Sequence, residues 1–372
     1  MNVNIFYGSL SEFQNRLPDE DYMPIVDLAI LDDARHRKFT VDMKGNRFEQ
    51  SEEEELLHFN NVIAFSDDYP SLSESTIESF TNFVFRYEID NLFLQNPPNS
   101  IAKHIQELSS VDCTVASQDY NTIDIDTLKK IKAGFSDAII GQEAAQNRIL
   151  AALYNVAKQR YNKPCVMLFY GSTGVGKTET AKYIANILEE QLFRKQFSML
   201  HSEEFSSYIF GGKHNQSSLA KDLLERESNV LLFDEFDKPH PVFHSAFYQL
   251  FDEGIYVDRN FTIKMKDSVI ICTSNYMSEK EIKSALGEPI FSRFDAVIQF
   301  CRLDKTSILK IMEKEYNKQY FILDDEEKQV INDCQIKEKI FHLAEKLDNA
   351  RQVRKIIREA FSAALIQQFL CM

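Results

Sequence analysis

Gly171-Ser172-Thr173-Gly174-Val175-Gly176-Lys177-Thr178 meets the pattern GxxxxGK[ST] at every required position and follows an apolar run, Val166-Met167-Leu168-Phe169-Tyr170. Behind it, Ala181, Ile184, Ala185 and Leu188 recur at helical spacing. The reading is strand, phosphate loop, helix. Glycines at these places let backbone N–H groups close around phosphate oxygens, a lysine ammonium reaches the terminal phosphates, and a threonine hydroxyl can ligate Mg²⁺. The expected ligand is a nucleoside triphosphate, contacted by all eight residues from Gly171 to Thr178.

Downstream, Val230-Leu231-Leu232-Phe233-Asp234-Glu235 is a short apolar run that ends in two adjacent carboxylates. A buried strand with that ending is what a Mg²⁺-dependent hydrolase needs. Asp234 is expected to hold the metal together with Thr178, and Glu235 to polarise the attacking water.

A chain of 372 residues has room for two domains, and its 44% apolar and 27% charged content is ordinary for a folded protein. The net charge of -15 is not the footprint of a nucleic-acid binder, so protein partners are expected instead. No apolar stretch approaches the ~18 residues of a membrane span, and the start has no signal-peptide pattern, so a cytoplasmic protein without membrane association is expected. Six scattered cysteines without CxxC spacing read as reduced thiols. His240 and His244 are four apart, but prolines surround the first and no third ligand is near.

The text changes character near residue 112. Before it come strand-like runs at 3–7, 24–31, 62–65 and 91–94, a hairpin candidate around Lys44-Gly45-Asn46, an acidic run at 52–55, and helices at 73–87 and from Asn99. This predicts a small α/β domain over 1–112, separately folded and used to recruit a partner. Residues 113–127 are polar and read as a linker. Beyond Leu128, helices (142–160, 177–193, 241–252) alternate with strands (165–170, 196–200, 230–234, 268–273), which predicts a parallel sheet covered by helices. A hairpin is inserted at 255–266. After about 302 only helices are evident, at 305–318, 336–347 and 350–369.

Taken in order, these motifs resemble the AAA+ ATPases of the Clp unfoldase and disaggregase family, in particular their C-terminal ATPase module, over roughly 128–369. The resemblance implies a three-layer P-loop domain at 128–301, a small helical lid at 302–372, ATP and Mg²⁺ as ligands, a homo-oligomeric ring of about six subunits, and a protein as substrate. Ile139-Ile140-Gly141-Gln142 looks like the segment bordering the adenine, which makes Ile140 a nucleotide contact. Asp234-Glu235-Phe236-Asp237-Lys238-Pro239-His240-Pro241 is similar to the family's second Walker motif. Thr273-Ser274-Asn275 resembles the first sensor, with Asn275 helping to position the lytic water. Pro289-Ile290-Phe291-Ser292-Arg293-Phe294-Asp295 looks like the arginine-finger segment, and Asn349-Ala350-Arg351 like the second sensor. In physical terms, Arg293 delivered from a neighbouring subunit would stabilise charge on the γ-phosphate, and Arg351 would report nucleotide state as a lid movement.

Departures from the pattern are equally specific. Clp-type motors grip polypeptide with an aromatic-glycine loop, whereas Tyr208-Ile209-Phe210-Gly211-Gly212-Lys213-His214-Asn215 is shortened and offers only Phe210. Residues 276–288 lack the tripeptide by which some members dock a ClpP-like protease. An alternative expectation follows: a nucleotide-dependent switch that assembles with ATP and presents its N-terminal domain without threading anything.

Overall fold

The computed structural model describes residues 1–42, 56–199 and 202–370; the hairpin candidate at 44–46 and the acidic run at 52–55 lie outside them. Five strands come first: β1 (Asn2–Tyr7), β2 (Met23–Pro24), β3 (His58–Ala64), β4 (Glu88–Gln95) and β5 (Asp112–Ser117). Then follow β6 (Cys165–Tyr170), β7 (Phe193–Gln196), β8 (Val230–Asp234), the hairpin strands β9 (Ile255–Val257) and β10 (Thr262–Lys264), β11 (Val269–Ser274) and β12 (Ala296–Gln299). They form two five-stranded parallel sheets, ordered β2-β3-β4-β1-β5 and β12-β6-β11-β8-β7, and the antiparallel β9–β10 pair. The α/β class expected from the alternation is what the chain adopts.

The chain divides into two compact units. The first combines residues 1–120 with two later segments, 200–227 and 255–264. Its core sets Val3, Ile5, Val62, Leu92 and Leu94 of the sheet against Ile25, Leu28, Ile101 and Ile105 of the helices Ile25–Asp42 and Asn99–Gln106. The run read as a strand at 24–31 is a strand only at Met23–Pro24 and a helix from Ile25. Ile25 and Leu28, three apart, are fully buried while Ile30 is 63% exposed, which is a helical and not an alternating pattern. The helix read at 73–87 is two short ones, Glu74–Glu78 and Phe80–Val84, broken at Ser79.

The unit does not end at residue 112. Strand β5 occupies the first part of the stretch read as a linker and pairs along its length with β1. It is an edge strand exposed everywhere but at the half-buried Cys113, which packs on the core, and its Cys113-Thr114-Val115 alternation is too short among polar residues to mark a strand.

The second unit holds residues 121–199, 228–254 and 265–372. All six residues of β6 and of β11 and all five of β8 are buried. This is the continuous apolar text of parallel strands covered on both faces. On one face Cys165, Met167, Phe169 and Leu232 meet Leu128, Ile131, Phe135, Ile149, Leu153, Ala181 and Ile184 from the helices Ile125–Ala138, Glu143–Ala157 and Lys177–Ile187. On the other, Phe233 packs among Phe197, Phe236 and Phe247 with ring centroids 5.4–6.3 Å apart. Strand β7 lies at 193–196 rather than 196–200, because Phe197–Met199 turns into a 3₁₀ helix.

The C-terminal helices Lys305–Phe321, Asp325–Asp333, Ile336–Phe341 and Ala350–Leu370 share a core of their own, built from Ile308, Met312, Tyr316, Ile331, Ile340, Val353, Ile357 and Phe361. The helix at 325–333 escapes the sequence reading because, of its nine residues, only Ile331 is buried. Cys113, Cys165, Cys272, Cys301 and Cys334 are unpaired thiols. Among the described residues no helix is long and apolar enough to cross a membrane.

Candidate active site

The loop between β6 and the helix Lys177–Ile187 has Gly171, Gly174 and Gly176 at φ 134°, 76° and 112°. Close approach adds to this at two of them, excluding a side chain at Gly171 and crowding one at Gly174. A Cβ on Gly171 would lie 2.3 Å from the Phe300 carbonyl oxygen, and one on Gly174 would lie 3.0 Å from Asn349 Oδ1. The glycines therefore bring the loop against the elements that surround it and leave its backbone free to face a ligand.

Lys177 opens the helix with its ammonium turned inward, donating to the carbonyls of Gly171 (2.5 Å) and Ser172 (2.8 Å) and to Asn275 Oδ1 (3.1 Å). Burial pulls its pKa down to about 8, against the opposing pull of Asp234, Asp237 and Glu235; Arg351 is close enough to depress it further. The backbone N–H of Ala350 donates to the Gly174 carbonyl at 2.9 Å, so the helix carrying Arg351 starts on the phosphate loop. Two widely separated arginine and loop motifs thus meet.

Asp234, at the end of β8, uses both oxygens. Thr273 of β11 donates its hydroxyl to Oδ1 at 2.5 Å, and Arg194 of β7 donates Nε and Nη2 to Oδ2 at 3.1 and 2.5 Å. Glu235 follows at φ 56°, a left-handed conformation that a non-glycine residue adopts at a cost of about 1–3 kcal/mol. The Thr273 hydroxyl accepts its backbone N–H at 2.9 Å, and the Thr273 carbonyl accepts that of Phe236 at 3.0 Å, which holds the turn. The Glu235 carboxylate accepts from Gln196 Nε2 at 3.3 Å. Asp237 is buried and accepts no hydrogen bond, but pairs in charge with Lys238 Nζ at 3.3 Å. The His240 imidazole caps the Val242 N–H and that of His244 meets the Phe236 carbonyl, so both are committed to backbone.

Thr178 sits half-buried in the first turn of the helix, beside Lys177. Ile140 and Gly141 line a cleft of about 740 Å³ together with Arg302, Asp304, Ser307 and Lys310. Gln142, part of the same segment, ties the surroundings together: its amide donates to the carbonyls of Val175 and Cys301 and accepts the Cys301 N–H. Arg293 stands apart. Its guanidinium bonds Asp252 Oδ2 at 2.8 Å and the Pro289 carbonyl, and lies 4.3 Å over the Tyr248 ring.

Lys177, Asp234, Glu235, Asn275 and Arg351 are therefore brought together, while Arg293 is not hydrogen-bonded to the loop. Arg194, Gln196, Thr273 and Gln142 are additions. Only Gln142 and Thr273 had a signal, as neighbours of Ile140 and Asn275.

Residues 162–367, more than half of the chain, match the AAA domain (Cdc48 subfamily). The chain belongs to this family. It is 29% identical over 245 residues to the ATP-dependent Clp protease ATP-binding subunit ClpE of Bacillus subtilis, covering 57% of this chain and 35% of that protein. Over 239 residues it is 30% identical to the subunit ClpL of Staphylococcus aureus strain MRSA252, covering 58% and 34%. The human mitochondrial disaggregase is 37% identical over 162 residues, 40% of this chain and 23% of that protein. The matched regions span about a third or less of these relatives, and they make the module one of Clp type.

Proposed function

We propose that this chain binds Mg–ATP on its phosphate loop and hydrolyses it within a ring of identical subunits, with six the expected number, so as to remodel a protein partner. The observation that carries the reading is the convergence of Lys177, Asp234, Glu235, Thr273 and Asn275 at the C-terminal ends of β6, β8 and β11. In open parallel sheets that edge is where ligands bind.

The residues present fit such a complex. Thr178 and Asp234 are the hard oxygen donors magnesium prefers, and the ion, once bound, neutralises charge on the β- and γ-phosphates. Lys177 exchanges its three internal acceptors for phosphate oxygens, which releases the Asn275 amide to orient a water. Glu235 takes a proton from that water as its oxygen bonds to the γ-phosphorus and the bridging P–O bond breaks; the proton then passes to solvent. Asp234 has to share its carboxylate between Arg194 and the metal. Arg351 supports the phosphates from the helical side, and Ile140 borders the base. ATP turnover measured with and without an unfolded protein, alongside particle mass with ATP, tests the whole reading. No turnover under any of these conditions overturns it.

The lowered pKa of Lys177 makes a signed prediction. In the free protein the ammonium loses its proton near pH 8, and phosphate oxygens raise that pKa in the complex. Binding is then fully favoured below pH 8 and weakens as pH rises above it, by up to about tenfold per unit. Fluorescent-nucleotide titrations from pH 7 to 9.5 check this, and Lys177→Ala should remove both the binding and its pH dependence.

A specific observation favours the switch as a second reading. The segment that corresponds to a gripping loop is fixed by its neighbours: the Phe210 carbonyl accepts the Arg259 N–H, the Gly212 carbonyl accepts from Asn260 Nδ2, and Tyr256 donates to the Ile209 carbonyl. Phe210 itself is 41% exposed. Phe210→Ala should leave ATPase intact. Loss of unfolding of a model substrate by that variant supports threading, and unchanged remodelling supports the switch.

A further inference from the structure

Three consecutive residues of the segment 200–227, Glu225, Arg226 and Glu227, are bound by residues of the N-terminal stretch. The Glu225 carboxylate accepts from Asn96 Nδ2 at 2.8 Å and from Gln95 Nε2 at 3.1 and 3.3 Å. Gln95 and Asn96 are completely buried. The guanidinium of Arg226, itself 6% exposed, lies 4.1 Å over the Tyr120 ring, and Ser11 donates to Glu227 at 2.8 Å.

The place is specific. Gln95 ends β4 and Asn96 follows it, while Gly8 follows Tyr7, the last residue of β1, the neighbouring strand in the sheet. Gly8 donates its N–H to Asn96 Oδ1 at 2.9 Å, while its carbonyl accepts from both amides; Ser66, just after β3, donates its N–H to Gln95 Oε1 at 3.2 Å. This is the crevice beyond the carboxyl ends of parallel strands, where such sheets take their ligands. Here the occupant is a carboxylate of the same chain, and burial raises its pKa while the Ser66, Asn96 and Leu10 hydrogen bonds oppose the shift.

The two segments in this unit are continuous with the strands of the nucleotide site. Residues 200–227 run from β7, which carries Arg194 and Gln196, to β8, which carries Asp234. Residues 255–264 run towards β11, which carries Thr273, and the backbone N–H of Asn99 donates to the Asn260 carbonyl at 2.8 Å. We propose that the crevice at the end of β1 and β4 is an internal docking surface for the Glu225 carboxylate, and that through this latch nucleotide at the phosphate loop and the N-terminal sheet control one another. The proposal rests on the ATPase reading and replaces a free-standing recruitment domain by a coupled one.

Hydrogen exchange of the whole chain, with and without a slowly hydrolysed ATP analogue and Mg²⁺, tests it. Nucleotide should change exchange in peptides covering 64–68, 94–97 and 219–228. By linkage, opening the latch must also change nucleotide affinity. Glu225→Gln, which keeps the shape and removes the charge, and Glu225→Lys, which cannot dock, should each speed exchange at Gly8–Ser9 and 94–97 and shift the Kd for the analogue at least about threefold. Normal nucleotide binding with unaltered exchange in the unmodified chain overturns the coupling alone, and that measurement stands even where the variants fail to fold. An unmodified chain that binds no nucleotide overturns the ATPase reading and the coupling together.

Discussion

Glu235→Gln is expected to bind ATP as the unmodified chain does and to hydrolyse it about 10²–10⁴-fold more slowly, the span that a positioned general base contributes. The substitution preserves size and the left-handed turn, since Thr273 holds the turn through the backbone N–H groups of Glu235 and Phe236 rather than through the carboxylate. It removes only the ability to accept the proton of the attacking water. Lys177 still meets the phosphates, Thr178 and Asp234 remain to hold magnesium and Asn275 to orient the water, so nucleotide should accumulate unhydrolysed and trap whatever assembly depends on it. Phosphate release in a single turnover, measured beside equilibrium binding of a fluorescent analogue, separates the two steps. Full turnover by this variant would remove Glu235 from the mechanism.

Arg293→Ala is expected to lower turnover by about 10³-fold or more with binding nearly intact. Within its own chain Arg293 is bonded to Asp252 and Pro289 and stacked on Tyr248, with its side chain about a quarter exposed. A half-solvated ion pair of this kind stabilises the fold by about 1 kcal/mol or less, so its loss should not unfold the protein. A large kinetic effect would then report a site on another subunit. Mixing settles the matter: mutant subunits added to an excess of intact ones should depress turnover by more than dilution, and a linear curve would show that each subunit works alone.

The two predictions draw on different kinds of legibility. The phosphate loop and the Asp234–Glu235 pair can be read from the chain because their chemistry is local. Glycines at fixed offsets permit backbone angles that other residues resist, and a strand buried on both faces must be apolar until it reaches the acids at its end. The same locality gave the helices Glu143–Ala157, Lys177–Ile187, Lys305–Phe321 and Ala350–Leu370 and the apolar strands β6, β8 and β11.

Arg194 and Gln196 carry no such mark. They lie on β7, a polar strand at the edge of its sheet, and become functional candidates only because parallel pairing sets Gln196 opposite Asp234 and Arg194 opposite Leu232. Sequence alone therefore determined that the chain has a nucleotide-hydrolysing module and pointed to its loop and acids, which are specified by residues adjacent in the chain, whereas the sensor was named only through the family resemblance. Only the tertiary structure decided what holds those acids, where the N-terminal unit ends, and that Glu225 lies in the crevice beside Asn96. These are contacts between residues as much as 130 positions apart, chosen by strand order and burial rather than by any periodicity along the chain.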